Sequence, residues 1–217
     1  TATYLTMSRG SFVAVFVAVF VALIVFFIKR NRLLVVFLIT FSLIAVTSVP
    51  ALKSRLSFNA ALKDIRVGIN LTTLEIIKDY PITGIGFGMQ TYGYSDFIDL
   101  VKYNAKIPPQ YQQKGEMIRS PHNSFADVAV RTGVVGLVLF LFIYFIFVRL
   151  GWKIILYGKD DFIRDWGICI MAAFIGVFIQ ELFADGMFGP QAIVLYTIFA
   201  IMTILWQINT ETNSITI

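Results

Sequence analysis

VVGLVLFLFIYFIFVRL, running from Val134 to Leu150, carries no charge before Arg149. A hydrocarbon core about 30 Å thick is crossed by about 20 apolar residues of helix, so this run with its flanks reads as a membrane span. Four more runs of the same character stand around it, at Ser11–Ile28, Leu33–Val49, Trp166–Phe183 and Gln191–Ile208. Across the 217 residues, 58% are hydrophobic and 14% charged, and the mean hydropathy is +0.78. A soluble domain of this length has too little interior for such a composition. The expectation is an all-α, polytopic membrane protein with about five transmembrane helices and one long outward loop containing amphipathic helices. By region this gives a transmembrane hairpin at 1–49, the loop at 50–133, three transmembrane helices at 134–208 and a tail at 209–217.

Orientation follows from the short connections, because Lys and Arg collect on the cytoplasmic side. Lys29, Arg30 and Arg32 separate the first two runs, and Arg149, Lys153, Lys159 and Arg164 separate the third and fourth. Both connections are therefore expected inside. Alternation then puts residues 50–133 and the turn 184–190 outside and the tail in the cytoplasm. The net charge of +5 goes mainly into this topology, and with no basic stripe interleaved with aromatics it does not point to nucleic acid. Cys169 lies alone within the fourth run, which excludes an intrachain disulfide and suggests packing. The chain opens on Thr1 with a span following almost at once and no signal peptide, so upstream helices are expected to be missing.

Within the loop, Phe58, Leu62, Ile65, Ile69, Thr72 and Ile76 recur at steps of three and four, the stripe of an amphipathic helix. Ser57 suits its N-cap, and Tyr80-Pro81 stops it. Arg66 sits on the flank of the stripe. A helix of this kind also fits a membrane surface, with its cations solvated or among headgroups. Ile82-Thr83-Gly84-Ile85-Gly86-Phe87-Gly88 has the look of a phosphate loop without the strand, helix and βαβ setting that a dinucleotide fingerprint needs. Its glycines are better suited to tight turns and close backbone approach to neighbouring helices. The stretch from Tyr92 to Gly115 reads as irregular, its tyrosines suited to stacking on sugars or to anchoring at the interface.

Ser120-Pro121-His122-Asn123 closes the loop. Ser120 is an N-cap type and Pro121 fits the first helical position, which predicts His122 in the first turn of a helix. Free N–H groups there attract an anion such as phosphate, and a neutral imidazole accepts a proton. As the only histidine, His122 does not furnish a His-based zinc site; it can equally cap or pack.

Three segments together resemble the O-antigen ligase and polymerase family. They are Ser8-Arg9-Gly10-Ser11 opening a span, Arg66 ahead of Leu74-Glu75-Ile76-Ile77-Lys78-Asp79-Tyr80-Pro81-Ile82-Thr83-Gly84-Ile85-Gly86, and His122-Asn123-Ser124-Phe125 ahead of Thr132-Gly133-Val134-Val135-Gly136-Leu137. The resemblance covers most of the chain and corresponds to the C-terminal half of such proteins. It implies a metal-independent, cofactor-free glycosyltransferase of the bacterial inner membrane, with its active site on the periplasmic side. The donor would be a polyprenyl-diphosphate-linked glycan and the acceptor lipid A-core or a glycan, the partners otherwise being membrane lipids. Arg9 and Arg66 would engage the donor diphosphate and His122 would serve the acceptor hydroxyl; beyond the resemblance, Asn123 stands as a further substrate contact, and Arg119 either as a donor contact in the same basic pocket or as a solvated surface charge. Fixed guanidinium groups stabilise a departing diphosphate, and a base removes the acceptor proton. The topology agrees, since Arg9, Arg66 and His122 all fall on the outer face.

Gln180, Glu181 and Asp185 mark the outer end of the fourth run, where acids are often functional. Arg131 fits either a basic pocket or a solvated surface. Ligase, polymerase and protein O-oligosaccharyltransferase share these short motifs. A transporter or flippase for lipid-linked sugars is a second reading, although ionisable groups at the bilayer midplane are scarce here. A non-catalytic scaffold of polysaccharide assembly is a third.

Overall fold

A computed structural model describes residues 65–88, 91–94, 96–184 and 190–211, with Val17 and Phe20 helical. The remainder of the first two apolar runs, residues 58–64 of the expected amphipathic helix, and the tail 212–217 lie outside the described residues. The helices are α1 (Ile65–Asp79), α2 (Leu100–Asn104), α3 (Ser124–Tyr157), α4 (Asp161–Glu181) and α5 (Pro190–Glu211), with a 3-10 turn at Pro109–Tyr111. Among the described residues there is no strand, and α3, α4 and α5 are each long and apolar enough to cross a membrane. The 21 residues of α4 extend about 32 Å, enough for the hydrocarbon core. The protein is an all-α, polytopic membrane protein. Its helices run past the apolar runs because capped polar residues at their ends stay helical.

Two compact units divide the described chain: residues 141–180 with 190–211, and residues 65–140 with 181–184. In the first, Phe147 stacks obliquely on Phe174 at 4.4 Å and on Phe199 at 5.0 Å, and Tyr144 meets the same two rings at 5.3 and 5.7 Å. Aromatic packing of this kind holds helices together where lipid removes the hydrophobic drive for association. Other apolar side chains, among them Phe145, Phe162 and Ile193, point outward, as lipid permits. Cys169, expected to pack, is exposed on α4 on the face of Phe162 and Trp166. Asp160 caps α4 through Ile163 N–H at 2.8 Å, and Asn209 at the end of α5 accepts from Lys159 N–H at 3.1 Å. The C-terminal end of α5 thus meets the basic α3–α4 connection.

The second unit is built around α1. Ile69, Thr72 and Ile76 are buried, as the stripe predicts, together with Gly68 and Thr73. The stripe faces protein: Ile76 packs with Tyr92, Ile98, Leu100, Tyr103 and Val130. Thr73 Oγ1 and Tyr92 Oη lie 2.9 Å apart. The threonines tolerate burial because their hydroxyls reach the Gly68 and Ile69 carbonyls at 2.9 Å. Ile65, the next stripe residue toward the N-terminus, is exposed. The stretch from Tyr92 to Gly115, expected to be irregular, contains α2. Asp99 caps it by accepting from Val101 and Lys102 N–H, and Asn104 pairs with the backbone of Gln113 through two hydrogen bonds. Tyr103 Oη at 2.8 Å and Lys106 Nζ at 3.0 Å both donate to Asp79, joining α2 to the end of α1.

The glycine segment does what its sequence suggests, and more. Gly133 has φ 66° and ψ −167°, so α3 breaks there into two helical pieces. In an unbroken helix the carbonyls of Val130 and Arg131 would receive Val134 and Val135. Here they accept from Ile85 N–H at 2.9 Å and Gly86 N–H at 3.0 Å, while Val134 N–H donates to Pro81 O at 2.8 Å. The segment 81–86 is thus inserted into the ladder of α3. A Cβ on Gly133 would lie 2.0 Å from the Ile82 oxygen, and one on Gly84 2.3 Å from the Arg131 carbonyl carbon. Arg131 is buried: it pairs with buried Asp127 at 2.7 Å and donates from Nη1 to Gly88 O and to Thr91 Oγ1. It is therefore a clamp on the inserted loop and not a solvated surface charge.

Two outcomes follow from this packing. Gly133→Ala should destabilise the protein by more than about 2 kcal/mol, from left-handed strain plus the clash, read as a lower unfolding temperature in detergent. An unchanged temperature would mean that α3 does not need the break. Separately, the Lys106 and then the Tyr103 hydrogen bonds hold the Asp79 carboxyl below the usual carboxylate value. A folded pKa below the unfolded one gives stability that is present above about pH 4 and is lost as pH falls through the folded value. Protection of the α2 amides, taken against the intrinsic exchange rate at each pH, should therefore fall on acidification below that point in the wild type, and Asp79→Asn should remove the dependence.

Candidate functional site

The start of α3 differs from the sequence expectation, and the difference concerns His122. The helix begins at Ser124, and its cap is Asn123, not Ser120. Asn123 Oδ1 accepts from Phe125 and Ala126 N–H, both at 3.0 Å, and its carbonyl accepts from Asp127 N–H at 2.8 Å. Asn and Ser are equally good caps, and the one adjoining the helix takes the free N–H groups. Ser120 Oγ instead accepts from His122 N–H at 3.3 Å, closing a turn before the helix. His122 therefore lies outside the first turn, half-buried.

Its backbone is unusual. With φ 50°, His122 is the one non-glycine residue at positive φ among the described residues. The left-handed region costs an L-residue about 1–2 kcal/mol, and such strain tends to persist where function requires the side chain. The turn is over-determined by its flanks: Pro121 and Ser124 are buried on either side.

Around the residues that follow α4, three other groups converge. Asn123 Nδ2 donates to Leu182 O at 3.3 Å, and Ser124 Oγ donates to Ala184 O at 2.9 Å. Between them, the Phe183 ring carries the guanidinium of Arg66, whose Cζ is 6.0 Å from the ring centroid. A guanidinium over an aromatic face is attracted by the ring quadrupole, and its N–H donors lie in its own plane. Glu181, next in line, is 3% exposed. Asn70, one turn along α1 from Arg66, has its Oδ1 buried with no hydrogen-bond partner among the described residues. Such an orphan acceptor costs about 1–3 kcal/mol unless a ligand supplies the donor.

Of the residues singled out in the sequence, the structure thus gathers Arg66 and Asn123, with His122 adjoining, on the segment Leu182–Ala184. Asn123 spends its amide on the cap and on Leu182, which is positioning work. Arg119 goes elsewhere: its Cζ lies 5.3 Å from the Tyr94 ring centroid, beside Asp99 and Glu116. Arg9 and Asp185 lie outside the described residues. Phe183 was missed by the sequence reading. The signal available for it was the polar end of the fourth run, Gln180 and Glu181, which marks where that helix meets the loop.

No curated protein matches the chain. Residues 1–141 match the family model for O-antigen ligase. The match takes in Arg9, α1 with Arg66, the inserted glycine segment, and the turn that bears His122. The chain belongs to the O-antigen ligase family, as a polytopic membrane protein of it.

Proposed function

We propose that this protein is a metal-independent, inverting glycosyltransferase that moves a glycan from polyprenyl diphosphate to an acceptor hydroxyl on the periplasmic face of the bacterial inner membrane. The acceptor is lipid A-core in a ligase and a glycan repeat in a polymerase. The observation that carries this reading is the convergence of Arg66 and the His122-Asn123 turn on Leu182–Ala184, directly after a membrane-spanning helix. A lipid-linked substrate presents its diphosphate at that level, where a chain leaving the bilayer first meets the loop.

The chemistry assigned to the residues is as follows. Arg66, set over the Phe183 ring, and Arg9 bind the diphosphate and stabilise the charge it gains as it leaves with the electron pair of the broken anomeric C–O bond. The acceptor oxygen attacks the anomeric carbon from the opposite face, and His122 takes its proton. Asn123 acts through His122, by fixing the helix start and tying the turn to Leu182. The Asn70 carbonyl oxygen accepts from a sugar hydroxyl of the donor.

Purified full-length protein, given polyprenyl-diphosphate glycan and each acceptor in turn, tests the reading; transfer to lipid A-core, glycan and protein alike failing would sink it. His122→Gly separates chemistry from architecture. Glycine relieves the left-handed strain, offset in part by greater freedom of the unfolded chain, so the unfolding temperature should hold or rise. Transfer should nonetheless fall about 10²–10⁴-fold through loss of the base. If activity survives in His122→Gly, His122 is a turn residue and the base lies elsewhere. Arg66→Ala should cost about 10²–10³-fold in kcat, and Arg66→Lys should recover little of it, since an ammonium does not bridge two phosphate oxygens in the fixed fork of a guanidinium. Full recovery by lysine would leave only a point charge at that position.

A further inference from the structure

We infer that a cleft of about 380 Å³, lined in part by Arg119 three residues ahead of His122, is a saccharide subsite that holds sugar rings of the glycan chain away from the reacting bond. Its walls include Gly93, Tyr94, Asp99, Val101, Glu116 and Arg119. The volume falls in the range of small-molecule sites, about 300–1,000 Å³. The inference rests on the transferase reading for its role, and on the cleft's own chemistry for its ligand.

That chemistry is mixed in sign and rich in acceptors. Two carboxylates and one guanidinium repel a diphosphate as a group, so Arg119 in this company is poorly placed for the donor phosphates. A hydroxyl-rich, uncharged ligand suits all three: carboxylates accept from sugar hydroxyls, and a guanidinium donates to ring and hydroxyl oxygens. Tyr94, 45% exposed, adds an aromatic surface for the apolar face of a pyranose.

The cleft is also built in advance. Gly93 has φ 97°, and a Cβ there would lie 2.6 Å from the Arg119 Cβ. The absence of that carbon lets the Arg119 stem lie against the 93 backbone, which brings its guanidinium over Tyr94 at 5.3 Å. Asp99 is fixed by accepting from Val101 and Lys102 N–H at 3.1 and 3.2 Å. Arg119 is three residues ahead of His122, and three extended residues reach at most about 11 Å. A sugar in the cleft therefore belongs to a chain whose end can stand at His122.

Saturation-transfer NMR on the full-length protein in nanodiscs tests this with one surface-glycan repeat of the source strain, released by mild acid and free of lipid carrier. Binding should be visible in the wild type and weaken about tenfold in Tyr94→Ala, the loss of one good aromatic contact, and in Glu116→Gln. Tyr94→Phe should keep most of it. Glu116 is exposed, so its substitution decides the matter if Tyr94→Ala does not fold. In the transfer assay the same variants should raise KM for one glycan substrate and leave kcat unchanged. A raised KM for the acceptor makes this the acceptor subsite, and a raised KM for the lipid-linked donor makes it the donor's. Unchanged repeat binding in both variants overturns the inference, whatever the transfer assay reads. Because binding is read without turnover, a protein that transfers nothing but loses repeat binding in the variants would keep the cleft and lose the transferase reading.

Discussion

Backbone exchange at Gly133 is the constraint on which the loop depends. Two carbonyls of α3 are withdrawn from their own helix and given to Ile85 and Gly86, and the freed Val134 N–H goes to Pro81. Both carbonyls and the Val134 amide keep a partner in the exchange, which matters because an unpaired buried backbone group costs as much as a lost hydrogen bond. The exchange requires a residue with no Cβ at the crossing on both sides, and Gly84 and Gly133 provide it. Because α1 leads directly into the inserted segment and the His122 turn leads directly into α3, pinning that segment to α3 fixes the chain on both sides of the site. Arg131 adds a second tie: buried with Asp127, it reaches the Gly88 carbonyl and Thr91 beyond the insertion.

Held in this way, the loop can maintain a strained turn. A left-handed histidine is not stable by local preference, and what maintains it is the cap at Asn123 on one side and the Ser120 acceptor on the other. Asn123 links three things at once, the helix start, the histidine before it and the Leu182 carbonyl. Arg66 is placed by a different device, the Phe183 ring. Two independent anchors on one three-residue segment give the guanidinium and the histidine turn a common reference.

The parts of this arrangement that repeat with a period were legible in the sequence. The apolar runs gave α3, α4 and α5, and steps of three and four gave the buried face of α1 through Ile69, Thr72 and Ile76. What covers that face was not legible, since a stripe states that a helix is amphipathic without saying whether lipid or protein lies against it. The short α2 escaped notice because five residues carry no periodic signal; only Asp99 ahead of Leu100 hinted at a cap. The start of α3 was misplaced because Ser120-Pro121 and Asn123 are competing cap signals of equal strength, and hydrogen bonding in three dimensions chose between them. The pairing of Arg66 with Phe183 joins elements far apart in the chain, and no local rule reaches that distance.

The same limit bears on how the arginines divide their work. In the sequence, Arg66 and Arg119 are two cations in one polar loop; the family resemblance drew Arg66 toward the donor, and Arg119 stood beside it as a basic-pocket candidate that could equally be solvated. Their surroundings separate them. Arg66 lies on a ring at the end of a spanning helix, with a buried orphan acceptor one turn away and the His122 turn fastened to the same segment. Arg119 lies over the Tyr94 ring in a cleft that Asp99 and Glu116 also line. A diphosphate approaching Arg119 also meets the carboxylates of Asp99 and Glu116 in the same cleft lining, and like charge repels it. Charge on the loop is therefore graded by company and not by count, and this difference is what supports the proposal of the diphosphate at Arg66 and of sugars at Arg119.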